Sequence, residues 1–429
     1  MTPQPRTRAS LLDTFLLGAL VLIPTLAQGV ILRRRRMVGL AARLDTNDWA
    51  CRLLWRMRRK HGSGPLLVRV FTRRVLVLLD PADARQMLAQ TTLSSTAANR
   101  DKIAALGHFE PEAVLISRGP IRDERRRFNE SVLDYPRTEH PLCPSFGDAI
   151  REEAAELIAR TTGRGAELIW EDFVRTYRRI VRRVVLGDDA KDDEQVTELL
   201  NTLRADANWF RLHRQRPRQR EQLWARVRAY FDEATTGGLA SRVADAPQTG
   251  QTLPEAQAQH WLFAFDAAPI ATYLALALLT GHPEQAHQAR ADHNRLRACV
   301  RESLRLWPTT LAILRDTTEE TTWSDGTVVP EGTTVVFYSS YFHRDDTLLP
   351  YAHRFEPDAW LDGRATENWA IAPFSRGPAE CPGQHLVLFT SATLLAELLD
   401  QGLRQVAGPR FEPGRPLPRT ADHHTLRFA

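Results

Sequence analysis

Lysine is nearly missing from this chain: of 57 basic residues, only Lys60, Lys102 and Lys191 are lysines. The net charge of +5 and the pI near 9.2 are therefore carried by arginine. Its planar fork suits carboxylates, phosphates or an acidic protein face. Cysteine is scarce as well. Cys51, Cys143, Cys299 and Cys381 lie far apart, with no C-x-x-C pair. That spacing argues against a zinc site and a secreted disulfide framework, and for a reducing compartment. With no zinc-finger spacing and no nucleic-acid-binding signature, nucleic acid is not an expected partner. No internal repeat and no low-complexity linker interrupts Arg43–Ala429.

What is present is an ordinary globular composition, 43% hydrophobic and 25% charged. Residues 1–42 stand apart. Phe15–Leu32 carries no charge and is followed at once by Arg33, Arg34, Arg35 and Arg36. Three readings are open: a membrane anchor or interfacial helix, an apolar helix folded onto the domain, or a cleaved export signal. Pro24, Gln28 and Asp13 count against a span, while the arginine run would keep the following chain cytoplasmic. Membrane contact through residues 11–36 and a cytoplasmic location, with or without attachment to the membrane face, are expected on this basis.

Beyond Arg43 the apolar spacing is mostly helical. "PLLVRVFTRRVLVLLD" reads as two short strands, and the helix around "PADARQMLAQ" follows. Leu93–Ser117 has no clear period and reads as a long loop region. Ala149–Arg242 is helical in pattern almost throughout. "QHWLFAFDAAPIATYLALALLTG" is apolar all round at first, as a helix buried in a large core would be. The expected fold is mainly α with a small β portion, and residues 43–429 read as one large domain.

"PFSRGPAECPGQHLVLF", Pro373–Phe389, sets Cys381 in a shaped turn ahead of an apolar helix. Pro382 suits a first helical turn, so the helix would point its positive end at the sulfur, favouring thiolate. Gly377 and Gly383 would let backbone approach a flat, bulky group. Taken by itself, such a cysteine is more often a buried, inert one. Upstream, "ESLR" places Glu302 and Arg305 on one helix face.

Together these stretches resemble the cytochrome P450 family of haem-thiolate monooxygenases, in order from about Arg43 to the C-terminus. Phe374, Gly377, Cys381 and Gly383 match the family's F-x-x-G-x-x-x-C-x-G signature, and Glu302 with Arg305 matches its E-x-x-R pair. The resemblance implies the P450 fold, with one large domain enclosing haem b. Cys381 would be the metal ligand, and Phe374, Gly377 and Gly383 would shape the proximal side. Arg122, Arg126 and Arg315 would bind the propionates, with Arg376 as a further candidate. Glu302 and Arg305 would be a structural pair. Asp266 and Ala267 would lie over the distal face as the catalytic positions, and Phe263, Phe265, Ala268, Leu311 and Ile313 would line the pocket of a hydrophobic small molecule. No flavin or nicotinamide region is visible, so electrons are expected from a separate ferredoxin- or flavodoxin-type donor acting on a monomer.

Several positions depart from the family pattern. Ala267 and Ala268 stand where threonines are common, so proton delivery would fall to the substrate, a water or Thr272. Pro269 is expected to bend the helix and widen the pocket there. Ala359 replaces a meander arginine that usually joins the Glu302–Arg305 network, leaving Arg354 and Arg364 as stand-ins, and Ala379 offers no propionate contact. Two alternatives to the monooxygenase reading are a peroxide-using or coupling/isomerising haem-thiolate enzyme, and a non-catalytic protein of this fold that activates a partner.

Overall fold

The structure is a computed structural model, which describes residues 8–70, 72–90, 94–162, 167–209, 213–232 and 237–429. The chain folds as two compact units. The first comprises Met1–Asp101, Leu304–Cys381 and Pro416–Asp422. The second comprises Lys102–Ser303, Pro382–Arg415 and His423–Ala429.

The first unit holds most of the β structure, and the second a three-stranded sheet of Leu168–Ile169, Arg427–Phe428 and Gln405–Ala407. In the first, Leu66–Val70 pairs antiparallel with Arg73–Val77, which runs parallel to Thr334–Tyr338. That strand pairs antiparallel with Ala312–Thr317, bringing Arg315 opposite Val335, and Ser95–Thr96 closes the sheet. β-branched and aromatic residues crowd these strands, as a pleated, half-buried surface favours. Leu66, Leu76, Val335 and Phe337 are fully buried, packed with Leu53, Leu54 and Met57 of the helix Thr46–His61. The apolar residues of Ala312–Thr317 are set by their cross-strand neighbours.

The apolar N-terminal segment is helical over Leu11–Ala27, with a wider i→i+5 turn at Gly18–Leu22. Ser10 caps it: its hydroxyl accepts from Asp13 N–H, and Asp13 reaches back to Ser10 N–H. Leu16, Leu17, Leu20 and Val21 pack on the unit's core.

The second unit is helical. Gly119–Val132, Cys143–Thr162, Trp170–Leu186, Glu194–Ala207 and Pro217–Asp232 precede the central helix Pro254–Gly281. The central helix is long and apolar enough to cross a membrane, yet 72% of its apolar window is buried in protein, which makes it a core helix. It tightens to a 3₁₀ turn at Phe265–Ala267 and restarts at Ala268 with Pro269 in its first turn. The irregularity therefore falls just before Pro269, where the missing N–H has nothing to break. Leu93 lies outside the described residues. Within the stretch that follows it, Ser95–Thr96 is a strand and Arg100–Leu106 a short helix, so the region is less loop-like than its sequence suggests.

Candidate functional site

Around Cys381 the first unit builds a closed, tightly passed loop. Cys381 N–H donates to the carbonyl of Phe374 at 2.9 Å, and Ser375 N–H to that of Ala372 at 3.0 Å. Ser375 has a φ of 61° and Gly377 one of 64°. At Gly377 a Cβ would lie 2.3 Å from the carbonyl oxygen of Leu88, so this position admits only glycine. Among the described residues all four cysteines are reduced, and Cys381 is half-buried. The following helix begins at Gln384 with Gly383 as its N-cap, so Pro382 precedes the helix instead of opening it.

Arg315 reaches this loop from its strand, donating to Ser375 Oγ at 2.9 Å, and is itself buried. Arg376 lies elsewhere than the sequence suggested. It donates to the carbonyls of Ile371, Asn368 and Ala365 and stiffens the approach to the loop. His343 was assigned nothing from sequence. Its Nε2 accepts from Ala372 N–H at 3.0 Å, two residues before the cysteine signature begins at Phe374. Burial, with Arg305 and Arg376 nearby, pushes its pKa down to about 3, so the ring is neutral.

Arg305 is fully buried and donates to four backbone carbonyls, those of His343, Tyr351, Ala352 and Arg354. The meander is thus gripped by its main chain. Arg354 contributes a carbonyl, not its guanidinium, and Arg364 faces Tyr351 across a ring that Arg305 also covers, at 5.2 and 5.1 Å. The arginine that sequence reading overlooked is Arg344. It is fully buried, shares the Ala352 carbonyl with Arg305 and also reaches Leu306, Leu417 and Pro418. Leu311 and Ile313 sit in the apolar core of this unit.

In the second unit, Arg122 and Arg126 lie one turn apart on Gly119–Val132, with side chains only 12% and 15% exposed. Burial, then repulsion from Arg126, lowers the pKa of Arg122. Carboxylates already answer both cations: Arg122 lies 3.3 Å from Asp123, and Arg126 contacts Glu130 at 2.5 Å. Glu302 is fully buried on His293–Leu306.

The central helix is buried on most sides but accessible along one stripe. Ala264 and Ala267 are exposed, and His260, Phe263 and Ile270 are half-buried. Phe265 and Ala268 face the opposite way and are packed in protein. Phe265 borders a cavity of about 30 Å³, together with Tyr177, Arg178 and Pro269. Asp266 is held by both guanidinium nitrogens of the buried Arg204, one contact measuring 3.0 Å. The Thr272 hydroxyl is engaged with the Ala268 carbonyl and with Ser391 Oγ, which Tyr177 also approaches. Along the accessible stripe, His260 pairs with the fully buried Glu110 at 3.0 Å. Burial alone would lower the pKa of His260, but Glu110 outweighs it and raises it. This pair and the Arg204–Asp266 pair went unread in the sequence.

The donor set fits haem. In the first unit it combines one cysteine sulfur in a fixed loop with Arg315, a buried fork of the kind that binds carboxylates, reaching the same loop.

The mainly helical fold and its cysteine loop resemble those of haem-thiolate proteins. The cytochrome P450 family model matches residues 277–401, which include the E-x-x-R pair and Cys381. Cyclooctat-9-en-7-ol 5-monooxygenase of Streptomyces melanosporofaciens is 30% identical over 220 residues, 43% of this chain and 48% of that protein. 2-Hydroxyisoflavanone synthase of Glycine max is 30% identical over 173 residues, 34% of this chain and 33% of that protein. The matched stretches thus span about half or less of these relatives. Among solved structures, retinoic acid-bound cyanobacterial CYP120A1 shares the fold with a TM-score of 0.67 at 20% identity, covering 87% of this chain and 92% of that one. CYP175A1 from Thermus thermophilus gives 0.63 at 19%, covering 89% and 93%. Residues 277–401 thus carry the cytochrome P450 match, and most of the chain shares the fold of solved P450 structures.

Proposed function

We propose that this chain is a cytochrome P450, a haem-thiolate monooxygenase that inserts one oxygen atom from O₂ into a hydrophobic organic substrate. The observation that carries the reading is the loop at Cys381, shut by the Cys381–Phe374 hydrogen bond and passing Leu88 at a glycine that admits no side chain. Haem b, when bound, would supply O₂ activation, assisted by electron donation from the Cys381 thiolate that would hold it.

In this reading Cys381 ligates the iron, with Phe374, Gly377 and Gly383 shaping its surroundings. Arg315, Arg122 and Arg126 hold the propionates. Glu302 and Arg305 keep the meander and cysteine loop in place. Ala267 makes room over the distal face and supplies no hydroxyl, while Asp266 is committed to Arg204 and Thr272 to Ser391. A proton for the reacting oxygen then comes through water or a substrate hydroxyl. Phe263 and Ala267, on the accessible stripe, meet the substrate first, with Phe265 and Ala268 on the packed side of the same helix behind them. The cyclooctatenol acted on by the Streptomyces enzyme and the retinoic acid bound in the cyanobacterial structure are mostly hydrocarbon, in keeping with such walls. Residues 43–429 act as a monomeric haem domain located in the cytoplasm and fed electrons by a separate ferredoxin- or flavodoxin-type donor, with residues 1–42 an added apolar segment.

The test is the carbon monoxide difference spectrum of the reduced, haem-loaded protein, with pyridine haemochrome analysis to identify haem b. The red-shifted Soret band of thiolate-ligated iron is expected in the native chain and lost in Cys381→His, which retains haem. A folded, haem-loaded native protein without that band refutes the assignment.

A further inference from the structure

The helix Leu11–Ala27 is amphipathic in an unusual sense: both faces are apolar, and only one is covered. Leu16, Leu17, Leu20 and Val21 pack on the core of the first unit. On the other side Leu11, Leu12, Phe15, Leu22, Ile23 and Leu26 recur at helical spacing and are exposed, Leu11 to 91%, Phe15 to 70% and Ile23 to 63%. Scattered surface leucines need no explanation, but a contiguous stripe of this kind marks an interaction surface.

Three observations decide what covers it. The helix is fastened in place by its buried acid: Asp13 accepts from Lys60 Nζ at 2.8 Å and from Ser10 Oγ at 2.8 Å, and contacts His61 Nε2 at 3.0 Å. Standing upright in a bilayer would tear this carboxylate from its partners into hydrocarbon, a costly place for a charge. The helix is also short. At a rise of ~1.5 Å per residue it reaches ~25 Å, below the ~30 Å of a hydrocarbon core. Finally, the surface beside the stripe is basic. The next helix, Arg35–Leu44, exposes Arg35, Arg36 and Arg43 together with Leu40 and Leu44. Arg34 links the two elements by donating to the carbonyls of Leu26 and Ala27. Exposed leucines flanked by exposed arginines match a surface that is apolar beneath an anionic layer.

We infer that the outer face of Leu11–Ala27, with Arg35, Arg36 and Arg43 beside it, is a docking surface for an anionic lipid bilayer, on which the helix lies in the plane of the membrane and stays attached to the first unit. The occupant is the lipid surface, not a second protein. The inference does not depend on haem or on the reaction proposed above, so its failure and theirs are told apart by readout.

The test is co-sedimentation of the full chain, purified without detergent, with vesicles of equal parts phosphatidylglycerol and phosphatidylcholine or of phosphatidylcholine alone. The native chain is expected on the anionic vesicles, with several-fold less on the neutral ones and release by salt. Phe15→Glu with Ile23→Glu should lower the bound fraction roughly tenfold or more, because each places a charge in the buried contact. Arg35→Glu with Arg36→Glu should remove the preference for anionic lipid and leave the weaker apolar binding. These side chains are exposed, so melting temperatures should stay at the native value. If the first pair melts early, Leu11→Gln with Leu12→Gln reads the same face. The inference is overturned if the native chain sediments with neither vesicle, or if the glutamate variant binds as well as the native chain. Resistance to alkaline carbonate would show a spanning helix and overturn it too. So would a native dimer that the glutamate variant dissociates in the absence of lipid.

Discussion

The two units use buried arginine in opposite ways. In the first, Arg305, Arg344 and Arg376 spend their hydrogen bonds on backbone carbonyls: four from Arg305, four from Arg344 and three from Arg376. In the second, Arg183 meets Glu152, Glu153 and Asp188, Arg179 meets Glu153 and Asp192, and Arg204 meets Asp266. Arg182 departs from this by donating to the carbonyls of Ala190 and Lys191, as Arg125 does in part by donating to that of Gln251. In the first unit Arg419 departs the other way and meets Asp48. The electrostatics diverge accordingly. Burial, with Arg419 and Arg305 close by, pushes the pKa of Arg344 down to about 9. Burial would lower Arg183 as well, but Glu152 and Asp188 raise it. A guanidinium among carbonyls holds irregular main chain in a fixed path, which is what a loop carrying a metal ligand requires. A guanidinium among carboxylates fastens side chains of different helices to one another and leaves the main chain to its own ladder.

The sharpest way to break this comparison is to remove a carbonyl-gripping arginine. Arg344→Met should cost about 3–5 kcal/mol in urea unfolding, since it leaves several buried carbonyls without donors. Arg344→Lys should recover little of it, because a point ammonium cannot span acceptors set for a planar fork. A loss under about 1 kcal/mol would mean that water replaces the guanidinium and that the meander does not depend on it.

In the second unit the expected effect is smaller and reversible. Arg204→Met alone should cost about 2 kcal/mol, below the full penalty for a buried pair because Asp266 keeps 28% of its side chain exposed. Arg204→Met with Asp266→Leu should restore most of that, as apolar replacements of ion pairs commonly do. Additive losses in the double-mutant cycle would contradict the pairing.

This contrast also marks what was legible beforehand. Cys381, with its glycines and Phe374, and Glu302 with Arg305 lie in short motifs whose spacing survives in one sequence. The β portion and the helical middle were legible from periodicity. Arg204 and Asp266 are 62 positions apart, and with arginine forming nearly all of 57 basic residues no single pairing stands out. Arg344 was invisible for a further reason: its partners are carbonyls, which every residue possesses. Phe265 and Ala268 were grouped with Ala267 by adjacency, whereas the helix turns them to a packed side. Glu110 and His260 lie in stretches read as loop and as apolar helix, and neither suggested an ion pair.

The smallest effect is the most diagnostic for the cysteine loop. His343 accepts from Ala372 N–H while buried and neutral, its pKa pushed down to about 3. As pH falls below about 6.5, the unfolded chain takes up a proton at this residue and the folded one does not. Stability is therefore present at neutral pH and lost as pH drops from about 6.5 towards 3, with a slope of at most about 1.4 kcal/mol per pH unit. His353, pushed down to about 4 by burial and by Arg344 and Arg419, adds a second proton in an overlapping window. His343→Asn keeps an acceptor for the Ala372 N–H and removes the titration. At pH 7 its unfolding free energy should stay within about 1 kcal/mol of the native value, and between pH 6 and 4 its slope should be shallower by about one proton. An unchanged slope would place the acid sensitivity at His353 and leave His343 a hydrogen-bond acceptor alone.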